Sequence, residues 1–194
     1  MRYRFRDLIP VWTLIAVNTV VFIITTASPS TRDFLALTNP VNGNKYWTIL
    51  SAIFVHANFF HILFNMLTLY FFGAFCLQLI GVWRFLAVYF VGGIVGNILF
   101  LLIGPTFSEV LGASGAIFAV GGVLVVMRPN LRVYLYFVLP LPLWVVIIFG
   151  FLLTAFNSGT AWQAHLGGLV VGAIAGWIFR MKKRQRLPAV YYRW

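Results

Sequence analysis

Ser114, His165, His61 and Asn65 are the residues of this chain whose types and spacing suit acyl-transfer chemistry. A serine hydroxyl becomes a nucleophile when a base within hydrogen-bond reach takes its proton. Neutral imidazole is the side chain most often used for that task. The sequence holds three histidines, His56, His61 and His165. Its acidic residues are Asp7, Asp33 and Glu109. Asp7 falls on the wrong side of the bundle and the other two fall in loops, so the pattern predicts a Ser114–His165 dyad with no carboxylate. The orientation of His165 must then come from packing.

Each motif also has a structural reading. Ser114 stands in Gly112-Ala113-Ser114-Gly115, which could be a helix N-cap on a small-residue packing face. It is not the nucleophile elbow of soluble hydrolases, because Ala116 stands where G-x-S-x-G requires glycine. His61 and Asn65 are four apart, on one helix face. There they could serve as oxyanion donors or as an ordinary helix–helix hydrogen bond. His165 precedes Gly168 and Gly172, a small-xxx-small stripe that permits close helix approach. Gly115, Ala119 and Gly122 form a matching face, and pairing the two faces sets Ser114 beside His165. Metal chemistry is the rival. His56 and His61 are five apart, poor for one helical face, and H-E-x-x-H is absent. Neither a metal nor a cofactor is expected.

The elements that must carry these groups are membrane spans. The chain is 194 residues long, 62% hydrophobic and 9% charged, whereas a soluble domain carries about 25% charged residues. A spanning helix needs about 20 apolar residues. Six segments qualify as candidates, over 9–28, 57–80, 84–104, 114–127, 133–156 and 162–180, followed by a basic tail over 181–194. The whole chain reads as a single all-α, polytopic membrane domain. The basic, apolar start reads as the first helix rather than a cleaved signal. Cys76 falls in a span and is expected to act as a small buried hydrophobe.

Charge sets the orientation. The formal net charge is +11, but the charges gather at chain ends and short loops, which argues against nucleic-acid binding. With six spans, 12 of the 14 Lys and Arg residues fall on the side of both termini, and only Arg32 and Lys45 fall opposite. The positive-inside rule makes that side cytoplasmic. The 29–56, 105–113 and 157–161 loops then face outward. The fourth span, Ser114 to Met127, is about 21 Å long, short of the hydrocarbon thickness of about 30 Å. The segment before it must therefore dip into the protein, placing a helix N-terminus with free N–H groups at depth. That is a site for a developing oxyanion.

Taken together, His56-x4-His61-x3-Asn65, Gly112-Ala113-Ser114-Gly115 and Ala164-His165-x2-Gly168-x3-Gly172 resemble the motifs of the rhomboid proteases over roughly residues 45–180. The resemblance implies a six-helix rhomboid bundle cutting transmembrane protein substrates within the lipid bilayer. It implies Ser114 as nucleophile and His165 as base. It also implies an oxyanion hole of His61, Asn65 and the Ser114 N–H, with His56, Gly112, Gly115, Phe118, Gly168 and Gly172 in support. Trp47 matches the family's first-loop Trp-Arg motif, in which Thr48 replaces the arginine. Phe118 stands where many members have tyrosine. The fifth span, with Pro140, Pro142, Phe137, Trp144, Phe149 and Phe151, is the expected lateral gate. A multi-pass protein of a bacterial or archaeal cell membrane is expected, its site opening to the extracytoplasmic side. Two other classes compete: a non-catalytic rhomboid-like binding factor and a transporter. The transporter is disfavoured because no internal repeat is evident.

Overall fold

The computed structural model describes residues 8–41, 43–135, 139–155 and 161–185. The chain is mostly helical. Four helices are long and apolar enough to cross a membrane: Ile9–Ala27, Phe59–Ile80, Val82–Ile103 and Trp162–Lys182. Ser114–Met127 and Leu143–Ala155 are shorter apolar helices. Arg2, Arg4, Arg6, Asp7, Phe137, the loop over 157–160 and the tail beyond 185 lie outside the described residues.

α1 (Ile9–Ala27) opens with Pro10 in its first turn, where a missing N–H costs nothing. Its outer face is apolar, and its two buried polar groups turn inward. Asn18 donates to Leu14 O at 2.7 Å and faces the Tyr89 hydroxyl. Ser28 caps the short α2 (Pro29–Leu35), accepting from the Thr31 N–H. β1 (Leu37–Asn39), α3 (Thr48–Ser51) and a 3-10 turn (Ala52–Phe54) complete the first loop. The Phe59–Ile80 span consists of α4 (Phe59–Thr68), a π turn (Leu69–Gly73) and α5 (Ala74–Ile80). Cys76 is fully buried in it. Gly81, at φ +84°, lets the chain reverse into α6 (Val82–Ile103).

β2 (Ser108–Val110) pairs antiparallel with β1, in register Leu37↔Val110, Thr38↔Glu109 and Asn39↔Ser108. This clamps the first loop to the segment that enters α7 (Ser114–Met127). α7 is the central helix. Every residue from Gly115 to Leu124 except Phe118 is buried, so its shortness leaves no backbone exposed to lipid.

The expected fifth span is not helical from residue 133. Instead β3 (Arg132–Leu135) pairs antiparallel with β4 (Leu139–Pro142), and α8 (Leu143–Ala155) begins only at Leu143. Pro140 and Pro142 have no N–H and cannot continue an interior helical ladder. Valine and tyrosine just before them favour extended backbone. To the mostly helical fold expected, the described residues add two short strand pairs. α9 (Trp162–Gln185) runs past the predicted end at 180 into the basic segment.

The core is a three-helix stack of α6, α7 and α9. Glycines allow backbone contact within it: a Cβ on Gly122 would lie 2.7 Å from Leu169 O, and one on Gly167 would lie 2.8 Å from Gly96 Cα. Basic residues collect at the end opposite Ser114. Arg180 donates to Val126 O at 3.1 Å, and Arg84 lies over the Phe179 ring at 5.3 Å.

Candidate active site

Ser114 is the first residue of α7, at the end where helical N–H groups lack intrahelical acceptors. His165 is in the first turn of α9 and is buried. The contact of α7 with α9 joins them: Ser114 Oγ lies 2.6 Å from His165 Nε2. Gly115, next to Ser114, faces the carbonyl of Ala164, next to His165. Gly168 and Gly172 meet the backbones of Gly115 and Ala119. The small residues singled out in the sequence therefore form the seam beneath the Ser–His pair. Phe118, one turn into α7, stacks on the His165 ring at 4.7 Å and 25°. An aromatic face at this position holds the imidazole plane without a hydroxyl.

His61 and Asn65 approach from α4, and Gly112 lies between them and Ser114. Gly112 has φ +111°, and a Cβ there would sit 2.8 Å from His61 Nε2. Both the backbone angle and the space demand glycine. The His61 Nδ1 faces the Ala57 N–H at 3.4 Å. An N–H can only donate, so the ring hydrogen of neutral His61 resides on Nε2, the edge against Gly112. Asn65 uses one amide hydrogen on His61 O at 2.8 Å, which leaves the second. His56 stands behind His61, ring edge to ring at 5.1 Å, with Nδ1 3.2 Å from Phe54 O. Burial, followed by the neighbouring His61, pushes His56 down to about 4. It is a neutral prop at ordinary pH.

A cavity of about 440 Å³ opens over these groups, lined among others by His61, Asn65, Glu109, Ser114, Thr154 and His165. Two of these were not foreseen. Glu109 reaches the cavity rim from β2, but its carboxylate is engaged by Arg32. Thr154, on α8, lies with Oγ1 3.0 Å from His165 Nδ1. Its signal was available as a hydroxyl inside the apolar stretch of the fifth span. Among the described residues no group of three or more His, Cys, Asp or Glu is placed to hold a metal ion.

The first loop is anchored without the motif arginine. Trp47 Nε1 donates to Phe34 O at 3.0 Å, and its ring lies 5.0 Å from that of Phe34. Thr48 Oγ1 donates to Lys45 O at 2.6 Å and Ser51 to Leu35 O at 2.8 Å.

The family description of the rhomboid domain matches residues 43–182. The chain belongs to the rhomboid family. It is 33% identical over 149 residues to YdcA of Bacillus subtilis, a protein named with the rhomboid proteases, covering 75% of this chain and 73% of that one. Rhomboid protein 1, mitochondrial, of Saccharomyces cerevisiae is 31% identical over 166 residues, 76% of this chain and 46% of its own. The rhomboid protease GluP of Bacillus subtilis is 35% identical over 136 residues, 68% of this chain and 25% of its own. This rhomboid chain is thus a multi-pass membrane protein, and it spans half or less of several longer relatives.

Proposed function

We propose that this chain is an intramembrane serine endopeptidase that cuts peptide bonds in or next to the spans of other membrane proteins. The observation that carries this reading is the 2.6 Å approach of Ser114 Oγ to His165 Nε2 beneath an open cavity. Ser114 Oγ attacks the substrate carbonyl while its proton passes to His165 Nε2. Negative charge then develops on the carbonyl oxygen, and His61 Nε2–H, the second Asn65 amide hydrogen and the Ser114 backbone N–H receive it. Donors already in place need no reorganisation as that charge appears. His165 next gives its proton to the leaving amine. Water then attacks the acyl-enzyme, with His165 again as base.

The short α7 and α8 are read as the fourth and fifth of six spans. α7 is surrounded by protein and so needs no full hydrocarbon length. We read the basic end opposite Ser114, with both termini, as cytoplasmic, a reading that the positive-inside rule supports. The site then opens to the extracytoplasmic side of the cell membrane. Pro140 and Pro142 interrupt the chain just before α8, on which Leu143 and Ile147 are buried while Trp144 and Phe149 lie exposed, which suits a lateral gate for a substrate helix.

The test is cleavage of a single-span substrate in liposomes by wild type, Ser114→Ala and His165→Ala. Cleavage within or beside the span by wild type alone supports the reading. A wild type inert across several substrates with unstable helices, and unlabelled by a serine-directed fluorophosphonate, overturns it in favour of a non-catalytic binding factor.

A further inference from the structure

The Thr154 hydroxyl has one hydrogen and two lone pairs. Its hydrogen is given to Phe151 O, 2.8 Å away, a group that can only accept. The same oxygen therefore meets His165 Nδ1, at 3.0 Å, as an acceptor. Nδ1 must then carry the ring hydrogen. Neutral imidazole has a single N–H, so Nε2 presents its lone pair to Ser114 Oγ. The other tautomer would aim a hydrogen at Ser114 and could not take its proton.

We propose that Thr154 is a positioning residue: it holds His165 in the Nδ1–H tautomer and thereby ties the readiness of the base to the docking of α8. Its catalytic consequence rests on the protease reading above; the tautomer itself does not. Among the described residues no carboxylate fills this place. Glu109 at the cavity rim is held by Arg32, as is Asp33 at 3.6 Å. Phe118 sets the plane of the ring, but a half-turn about Cβ–Cγ keeps the stacking while exchanging each nitrogen with a ring carbon, and stacking does not choose which nitrogen carries the hydrogen. Only a partner at the ring edge distinguishes the two orientations, and Thr154 is placed there.

The tie to α8 follows from its packing. The buried residues of α8 are Leu143 and Ile147, both in its first half. Thr154 rides near the other end, where Leu152 and Leu153 are exposed. If that end swings from α9, the seam of α7 on α9 keeps Ser114 beside His165, yet the Nδ1 acceptor departs. Proton transfer is then favoured only after α8 has returned against the site.

The experiment uses the full chain with 15N-labelled histidine in detergent micelles, its three ring systems assigned by single His→Gln variants. Wild-type His165 is expected to show a protonated Nδ1 and an unprotonated Nε2. Thr154→Val, near in shape but without the hydroxyl, should show a mixture of tautomers, and Thr154→Ser should restore the wild-type spectrum. In liposome cleavage, Thr154→Val should lower kcat about 5- to 10-fold, the worth of one ordinary hydrogen bond, with KM little changed. Thr154→Ser should recover the rate. A wild-type His165 with its hydrogen on Nε2, or a Thr154→Val protein with unchanged tautomer and kcat, overturns the proposal. Should wild type cut no substrate, the protease reading fails while the nitrogen spectra still decide the tautomer.

Discussion

Replacing Gly168 by alanine tests whether the glycine seam sets the Ser–His distance. A Cβ on Gly168 would lie 2.8 Å from the Gly115 carbonyl carbon and closer still to its oxygen. Ordinary contact begins at 3.4 Å, and the obstacle is backbone, which cannot rotate away. α7 and α9 must part locally by about 1 Å, since repulsion rises steeply inside contact distance. Gly115 adjoins Ser114 and Gly168 lies one turn from His165, so the displacement falls on the 2.6 Å Ser114–His165 bond. Stretched to about 3.6 Å, it is no longer a hydrogen bond. A misplacement of this size costs on the order of 10²-fold in rate. Gly168→Ala should therefore lose about 10² in kcat/KM for a single-span substrate. Overpacking should also destabilise it by about 1–3 kcal/mol, so cleavage is assayed well below the melting temperature measured for each variant. Gly150→Ala, where a Cβ meets nothing within 4 Å, is the control and should match wild type. A folded Gly168→Ala protein that cuts at the wild-type rate would refute the reasoning.

Asn65→Ala should lower kcat by about 10²–10³, the usual loss for one oxyanion donor, and the substrate KM should change little; a variant losing only KM would place Asn65 in binding instead. Stability should also depend on acid through His56. Above about pH 6.5 the histidine is neutral in both folded and unfolded chains, and full stability is present. As pH falls toward about 4, the folded-state value, the unfolded chain takes the proton first and stability is lost. The slope for one proton is at most about 1.4 kcal/mol per pH unit. His56→Gln should flatten it in melts taken across that window, and an unchanged slope would exclude His56 as its source.

The apolar spans, the small-residue faces and the serine and histidine motifs were legible because each is a local property of composition or spacing. Twenty uncharged residues can hardly rest anywhere but in a bilayer, and glycine every fourth position marks a face whatever it packs against. The start of the fifth helix within 133–156 was not resolved, because hydropathy does not separate an apolar strand from a helix. Pro140 and Pro142 decided that question through their missing N–H groups. The loop anchor was not legible either, since the bonds of Trp47, Thr48 and Ser51 go to carbonyls distributed along the loop.

Sequence by itself determined that a hydroxyl and an imidazole lie at one depth of a helical membrane bundle, because chain connectivity and span length dictate depth. It also limited the candidate carboxylates to Asp7, Asp33 and Glu109. Only the tertiary structure decided which atoms meet. The choice of Nε2 for Ser114 and Nδ1 for Thr154 depends on where α8 and α9 come to lie beside each other, across a connection that periodicity does not describe. Hydrogen bonds act over tenths of an ångström, and spacing along the chain resolves no finer than a helical turn.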